Sequence, residues 1–171
     1  MKIATLGSRI IDDAVVSSKA GNHNDNIKRI VGISLFSINS DSLFKENERW
    51  NIKEKNSYRK NILTMDLNKS IMQILAKTRY ERLFIDFADS AGDIWQCTLT
   101  DGRIFRCTYN DIFRNNITYI KESIIAKSKC SIKNEVIIKP LEWNDAELTA
   151  EVTRLASELL ALDLSLIHIS E

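Results

Sequence analysis

The chain is poor in the residue types that most often announce a chemistry. Its 171 residues include two histidines, three cysteines, one proline and five glycines. The cysteines, Cys97, Cys107 and Cys130, lack metal-ligand spacing and are an odd number, which points to free thiols in a reducing compartment. No metal or cofactor is expected. His23 lies in the polar stretch Asn22-His23-Asn24-Asp25 and reads as a solvated side chain. Charge of one sign is also missing: 24 basic residues face 23 acidic ones, for a net charge of +1. The two signs are interleaved, so no basic stripe marks a nucleic-acid partner. No apolar run approaches the length of a bilayer span, and the first residues lack the apolar core of a signal peptide. A cytoplasmic chain without a membrane span is the resulting expectation. Internal repeats and low-complexity segments are absent.

What is present reads as one α/β domain. Lys2–Leu6 is a short apolar strand that breaks at Gly7-Ser8. A helical pattern follows, with Ile10, Ile11, Ala14 and Val15 on one face and Asp12 and Asp13 in the first turn. Strand, small-residue turn and helix open a βαβ unit, whose ligands gather at the carboxyl ends of strands. After a polar loop, Arg29–Ile33 reads as a strand entering a turn lined by Ser34 and Ser37. The charged connection from Asn39 to Ser57 has the length of a lid or insertion, docked by Leu43, Phe44 and Trp50.

Leu67, Ile71, Ile74 and Leu75 repeat with helical spacing, and Asp66 reads as the N-cap of that helix. Leu83–Phe87 suits a central parallel strand, with Asp86 an acid out of place inside it. Ile94–Thr100 and Arg103–Tyr109 flank Asp101-Gly102, a hairpin signal. A two-residue turn there would set Cys97 opposite Arg106 and turn Cys107 to the other face. Ile112–Ile125 reads as helix, and Cys130–Lys139 as loop with at most a short strand at Val136–Ile138. Pro140 breaks the chain, and Trp143 reads as a packing residue. Asn144 and Glu147 form a capping box for a helix with Leu148, Val152, Leu155, Leu159 and Leu162 on one stripe. Such a helix should feed another strand.

Three of these stretches resemble a bacterial family of SGNH-hydrolase-like proteins of unassigned function, often encoded near polysaccharide-biosynthesis genes. The family opens with a strand and a Gly-Ser-Cys turn followed by an Arg-Asp pair; here Gly7-Ser8-Arg9 and Asp12-Asp13 stand there. Its second stretch, an arginine before Ser-x-x-Ser, is matched by Gly32 and Ser34 to Ser37. Its third, a helix near an Asp, a strand ending Asp-Phe-x-Asp and a hairpin, is matched by Asp66, by Asp86-Phe87-Ala88-Asp89 and by the turn at Asp101-Gly102. The resemblance spans about residues 1–160. It implies a three-layer, mainly parallel SGNH-hydrolase or flavodoxin-like sheet with a hairpin excursion. The domain would be residues 1–163, incomplete at the C-terminus. The tail from about Leu164 looks like translated sequencing-adapter sequence of the sort found in metagenomic assemblies. SGNH-type enzymes carry their catalytic histidine and its Asp partner near the C-terminus. His168, inside that tail, therefore carries no catalytic weight.

By this resemblance Ser8 is the candidate nucleophile. A hydroxyl attacking an acyl carbon needs a base and nearby N–H groups for the oxyanion. Ser8 reads equally as a plain helix cap. Gly7, Arg9, Asp13, Ser34, Ser37, Asp86 and Asp89 are candidate substrate-binding residues. Arg9 suits a phosphate or carboxylate at a helix N-terminus, or is an ordinary surface arginine. Ser34 and Ser37 line a pocket or stabilise a turn. Asp86 and Asp89 orient a base, hold sugar hydroxyls, ligate a cation or cap loop amides. No Gly-Asn-Asp block supplies oxyanion donors, and Tyr109-Asn110-Asp111 lies too far along to replace it. Two function classes follow. One is a hydrolase or acyltransferase acting on O-acyl groups of a cell-surface polysaccharide or its precursor, a small-molecule or glycan substrate. The other is a non-catalytic accessory protein that keeps the fold. The 171 residues as written are expected to show little esterase activity, because no histidine base is in place.

Overall fold

The computed structural model describes residues 2–17, 26–44, 50–77, 80–86, 88, 92–139, 142, 144–162 and 167–169. Two sheets organise them. The first is parallel. Strand β1 (Lys2–Gly7) lies between β2 (Asn26–Val31) and β3 (Arg82–Ile85), with Leu6 level with both Ile30 and Ile85. Ile3, Ala4 and Leu6 are all buried, as a strand covered on both faces requires. On one face Ile3 packs with Val15 of α1 (Arg9–Ser17). On the other, Ala4, Leu6, Leu83 and Ile85 meet residues from α2 (Leu35–Ile38), α3 (Ser57–Asn68), α4 (Ile71–Lys77) and α6 (Asp145–Leu160). Residues 167–169, strand β7, add a parallel pairing at the outer edge of β3. The last helix thus does feed a strand.

The second sheet is antiparallel and separate, in the order β5 (Ile104–Thr108), β4 (Ile94–Leu99), β6 (Ile132–Ile138). Helix α5 (Asp111–Ser128) covers it through Phe113, Ile120 and Ile124. Leu43, Trp50 and Ile52 from the long connection are buried in the same core, so that connection docks on the body as its aromatic residues implied. Among the described residues no helix is long and apolar enough to cross a membrane.

Several expectations are corrected. The spacing of Leu67 with Ile71, Ile74 and Leu75 is not one helix. Lys69 takes a left-handed conformation (φ 52°), its N–H bonds to Asp66 O, and Ser70 N–H bonds to Met65 O. That Schellman closure ends α3, so Asp66 stands in its last turn, and Asn56 is the N-cap. Leu67 then belongs to the second core, and Ile71 and Leu75 to the first. Strand β2 starts and ends earlier than Arg29–Ile33, because Gly32 turns the chain at φ 81°. In α1, Val15 is buried, but Ile10 is 75% exposed and Ala14 is exposed.

The hairpin turn has three residues, not two. Leu99 N–H bonds to Arg103 O, and Gly102 supplies a φ of 89°. Cys97 therefore pairs with Phe105, and Cys107 with Trp95. A one-residue slip moves every side chain to the opposite face, so both thiols point into the same core and remain free. Within the supposed loop 130–139, Ile132–Ile138 is a strand hydrogen-bonded to β4. The capping box at Asn144 and Glu147 is present, and Leu155 and Leu159 are buried as the stripe implied, whereas Leu148 is 43% exposed.

Candidate functional site

The carboxyl edge of the parallel sheet gathers Gly7 at the end of β1 and Ser8 just past it, Gly32 after β2 and Asp86 after β3. Asp86 lies just beyond its strand rather than inside it, and its carboxylate faces the β1–α1 turn. Its Oδ2 accepts the Ser8 hydroxyl at 2.7 Å. Its Oδ1 accepts the Ser8 N–H at 2.9 Å and the Ala88 N–H at 3.0 Å. The out-of-place acid is thus satisfied by three donors. Gly7 permits this approach. Its φ is 137°, and a Cβ there would collide with the Asp86 carbonyl and lie 2.8 Å from Oδ1.

Ser8 is buried, and its Oγ also accepts the Ile10 N–H at 3.2 Å. The helix-cap reading is therefore realised in the geometry. The same arrangement puts a carboxylate where a serine proton would go. The Ser8 N–H, a natural oxyanion donor, is occupied by Asp86.

The other candidates divide. Arg9 and Asp13 pair with each other across one helical turn at 3.6 Å, 88% and 67% exposed. This is the ordinary surface reading for Arg9. Ser34 is fully buried; its N–H donates to Thr108 Oγ1 at 2.9 Å, and its own hydroxyl has no partner. Asp89, His23 and Trp143 lie outside the described residues.

Ser37 belongs to a buried charged cluster that no sequence pattern announced. Its hydroxyl donates to Asp66 Oδ1. Lys69 Nζ donates to Asp66 Oδ1 at 2.9 Å, to Ser37 Oγ at 2.8 Å and to the Arg106 carbonyl at 2.6 Å. Asp66 Oδ2 accepts the Thr108 N–H at 2.9 Å. The two charged side chains are 5% and 4% exposed. The cluster ties α2, α3 and β5 together, and in it Ser37 makes the hydrogen bonds that the turn reading called for.

Asn110 is another residue the sequence placed too far away. Its amide donates to Gly32 O at 3.1 Å, and Gly32 N–H donates to Gly7 O at 3.2 Å. Its Oδ1 caps α5 through Phe113 N–H. Chain distance misled because the second sheet folds back on the first at this edge. Asn110 thus links the Gly32 turn to the start of α5 through both its amide nitrogen and its amide oxygen.

Among the described residues no group of three or more His, Cys, Asp or Glu is arranged to hold a metal ion. Comparisons with family models, curated proteins and solved structures found no match.

Proposed function

We propose that this chain is an SGNH-like hydrolase or acyltransferase acting on O-acyl groups of a cell-surface polysaccharide or its precursor. The proposal extends the α/β architecture to the three-layer SGNH type and makes Ser8 the reacting group. The observation that supports it is the Ser8 hydroxyl held 2.7 Å from the Asp86 carboxylate at the carboxyl edge of a parallel sheet. In this reading Asp86 stands in for the missing histidine base and receives or steers the serine proton, so turnover is expected where the residue pattern alone led to the expectation of little activity. Gly7 lets the two approach.

A second reading rests on a different observation. Both the N–H and the hydroxyl of Ser8 are engaged. That favours an accessory protein which binds an acylated glycan without transforming it. The experiment combines two readouts on the wild type and on Ser8→Ala. One is hydrolysis of 4-nitrophenyl acetate and acetate release from O-acetylated oligosaccharides. The other is NMR titration with the same oligosaccharides. Turnover lost in Ser8→Ala supports the hydrolase. Binding at Gly7–Ile10 without turnover supports the accessory protein. Neither turnover nor binding refutes both.

A further inference from the structure

One peptide unit aims Ser8 at Asp86. The Gly7 carbonyl and the Ser8 N–H are its two polar ends, and both lie in one plane. The carbonyl accepts the Gly32 N–H at 3.2 Å, and the Ser8 N–H donates to Asp86 Oδ1 at 2.9 Å. The tilt of this plane therefore decides where the Ser8 N–H points. The hydroxyl that meets Asp86 Oδ2 at 2.7 Å follows it. On one side the plane is held by contact, since Gly7 lies against the Asp86 main chain. On the other it depends on Gly32.

Gly32 has no close contact of that kind. It sits at φ 81°, and a Cβ built on it would meet no atom within 4 Å. A glycine in open space has wide backbone freedom, so hydrogen bonds set its orientation. Its N–H serves the Gly7 carbonyl, and its own carbonyl accepts the Asn110 amide at 3.1 Å. Two residues on, the buried Ser34 N–H donates to Thr108 Oγ1 at 2.9 Å. Both of these partners come from the junction of β5 and α5. That junction is anchored in turn. The Thr108 N–H donates to the buried Asp66 carboxylate at 2.9 Å, and Asn110 Oδ1 accepts the Phe113 N–H at 3.0 Å.

We propose that Asn110 is a positioning residue of the Ser8–Asp86 site, acting through Gly32. The proposal rests on the reading of Ser8 as the reacting group. The Asn110 amide holds the Gly32 carbonyl, and the Gly32 N–H holds the Gly7 carbonyl. The Gly7–Ser8 peptide then presents the Ser8 N–H and hydroxyl to Asp86. The antiparallel sheet thus has a task at the carboxyl edge of the parallel one.

The two ends of the Asn110 side chain have separable roles. The Phe113 N–H can only donate and the Gly32 carbonyl can only accept, so the partners fix which end is oxygen and which is nitrogen. Aspartate has the same shape and caps a helix as well as asparagine does. It keeps the bond to the Phe113 N–H but sets a carboxylate oxygen against the Gly32 carbonyl, where two acceptors repel. Asn110→Asp therefore removes the brace and leaves the cap. Were Asn110 only a helix cap, this change would alter nothing at Ser8.

Amide hydrogen exchange and hydrolysis of 4-nitrophenyl acetate, on the full chain with and without Asn110→Asp, test the proposal. In the variant the Gly32 and Ser8 amides are expected to exchange about tenfold faster or more, with α5 amides at wild-type rates. The NMR shift of the Ser8 amide proton should move as its bond to Asp86 weakens. The value of kcat should fall about tenfold with KM unchanged, because the orientation of the reacting group is lost and substrate contact is not. Where Asn110→Asp fails to fold, Asn110→Ser decides, since serine also caps a helix and lacks the amide. Unchanged exchange at Gly32 and Ser8 overturns the proposal. So does a loss of protection as large in α5 as at Ser8. A wild type without turnover refutes the hydrolase reading alone, and the exchange rates and the Ser8 shift then decide the bracing.

Discussion

Replacing Lys69 by methionine isolates the charge in the buried cluster. Methionine retains an unbranched apolar stem above the Phe105 ring, whose centroid lies 4.8 Å from Lys69 Nζ. It also retains the strain of a non-glycine residue at φ 52°, so backbone conformation is held constant. What disappears is an ammonium group making three hydrogen bonds of 2.6, 2.8 and 2.9 Å. Asp66 is left buried with only the Ser37 hydroxyl and the Thr108 N–H. Breaking a buried ion pair from one side costs about 3–5 kcal/mol, because the remaining charge is uncompensated. Whole-domain stability is about 5–15 kcal/mol, so the loss is a large part of the total. At about 2–4 °C per kcal/mol for a chain of this size, the melting temperature should fall by roughly 6–20 °C.

Urea denaturation followed by tryptophan fluorescence measures the change. Arg154→Met is the control. Its partners Glu158 and Asp41 are 3.3 and 3.9 Å away, all three side chains are exposed, and each such pair contributes at most about 1 kcal/mol. Asp66→Leu combined with Lys69→Met should cost less than the sum of the single changes, because the two charges share their partners. A Lys69→Met protein as stable as the control, within about 1 kcal/mol, would refute the reasoning.

Gly7→Ala should destabilise the chain by about 2–4 kcal/mol, since a Cβ meets the Asp86 backbone and φ is 137°; a neutral effect in thermal melts would contradict the close approach. The buried thiols should resist alkylation in the folded protein at pH 8, while Cys130, half-buried, reacts first. Burial pushes the Cys97 thiol from 9.0 up to about 12 and raises Cys107 well above its ordinary value. Their contribution to stability is therefore full below the unfolded value near 9 and is lost as pH rises through the folded values. Denaturation midpoints that rise between pH 9 and 11 would contradict this sign.

Local pattern determined a good deal of this molecule. The apolar runs Lys2–Leu6 and Leu83–Phe87, each joined to helices, called for a parallel pair, and β1 and β3 are paired in parallel. The Asn144 and Glu147 box marked the start of α6, because both partners of that cap lie within one turn. Gly7-Ser8 and Asp86 were singled out by position at strand ends, and they meet in space. The cap depends on near neighbours in the chain, and the strands and their ends are marked by local composition, which a linear reading can see; their meeting joins residues 78 positions apart.

Tertiary structure alone decided the rest. The identical spacing from Leu67 to Leu75 fits one helix or two, and the left-handed Lys69 between them is held by a buried cluster drawn from three elements. Asp66 looks like a cap in sequence, yet its partners Ser37 and Thr108 are 29 and 42 residues away. Strand β6 is nearly all exposed, so it carries little hydrophobic alternation, and its backbone pairing with β4 is what makes it a strand. The hairpin register turned on one extra turn residue, because a period of two converts a single-residue slip into a change of face.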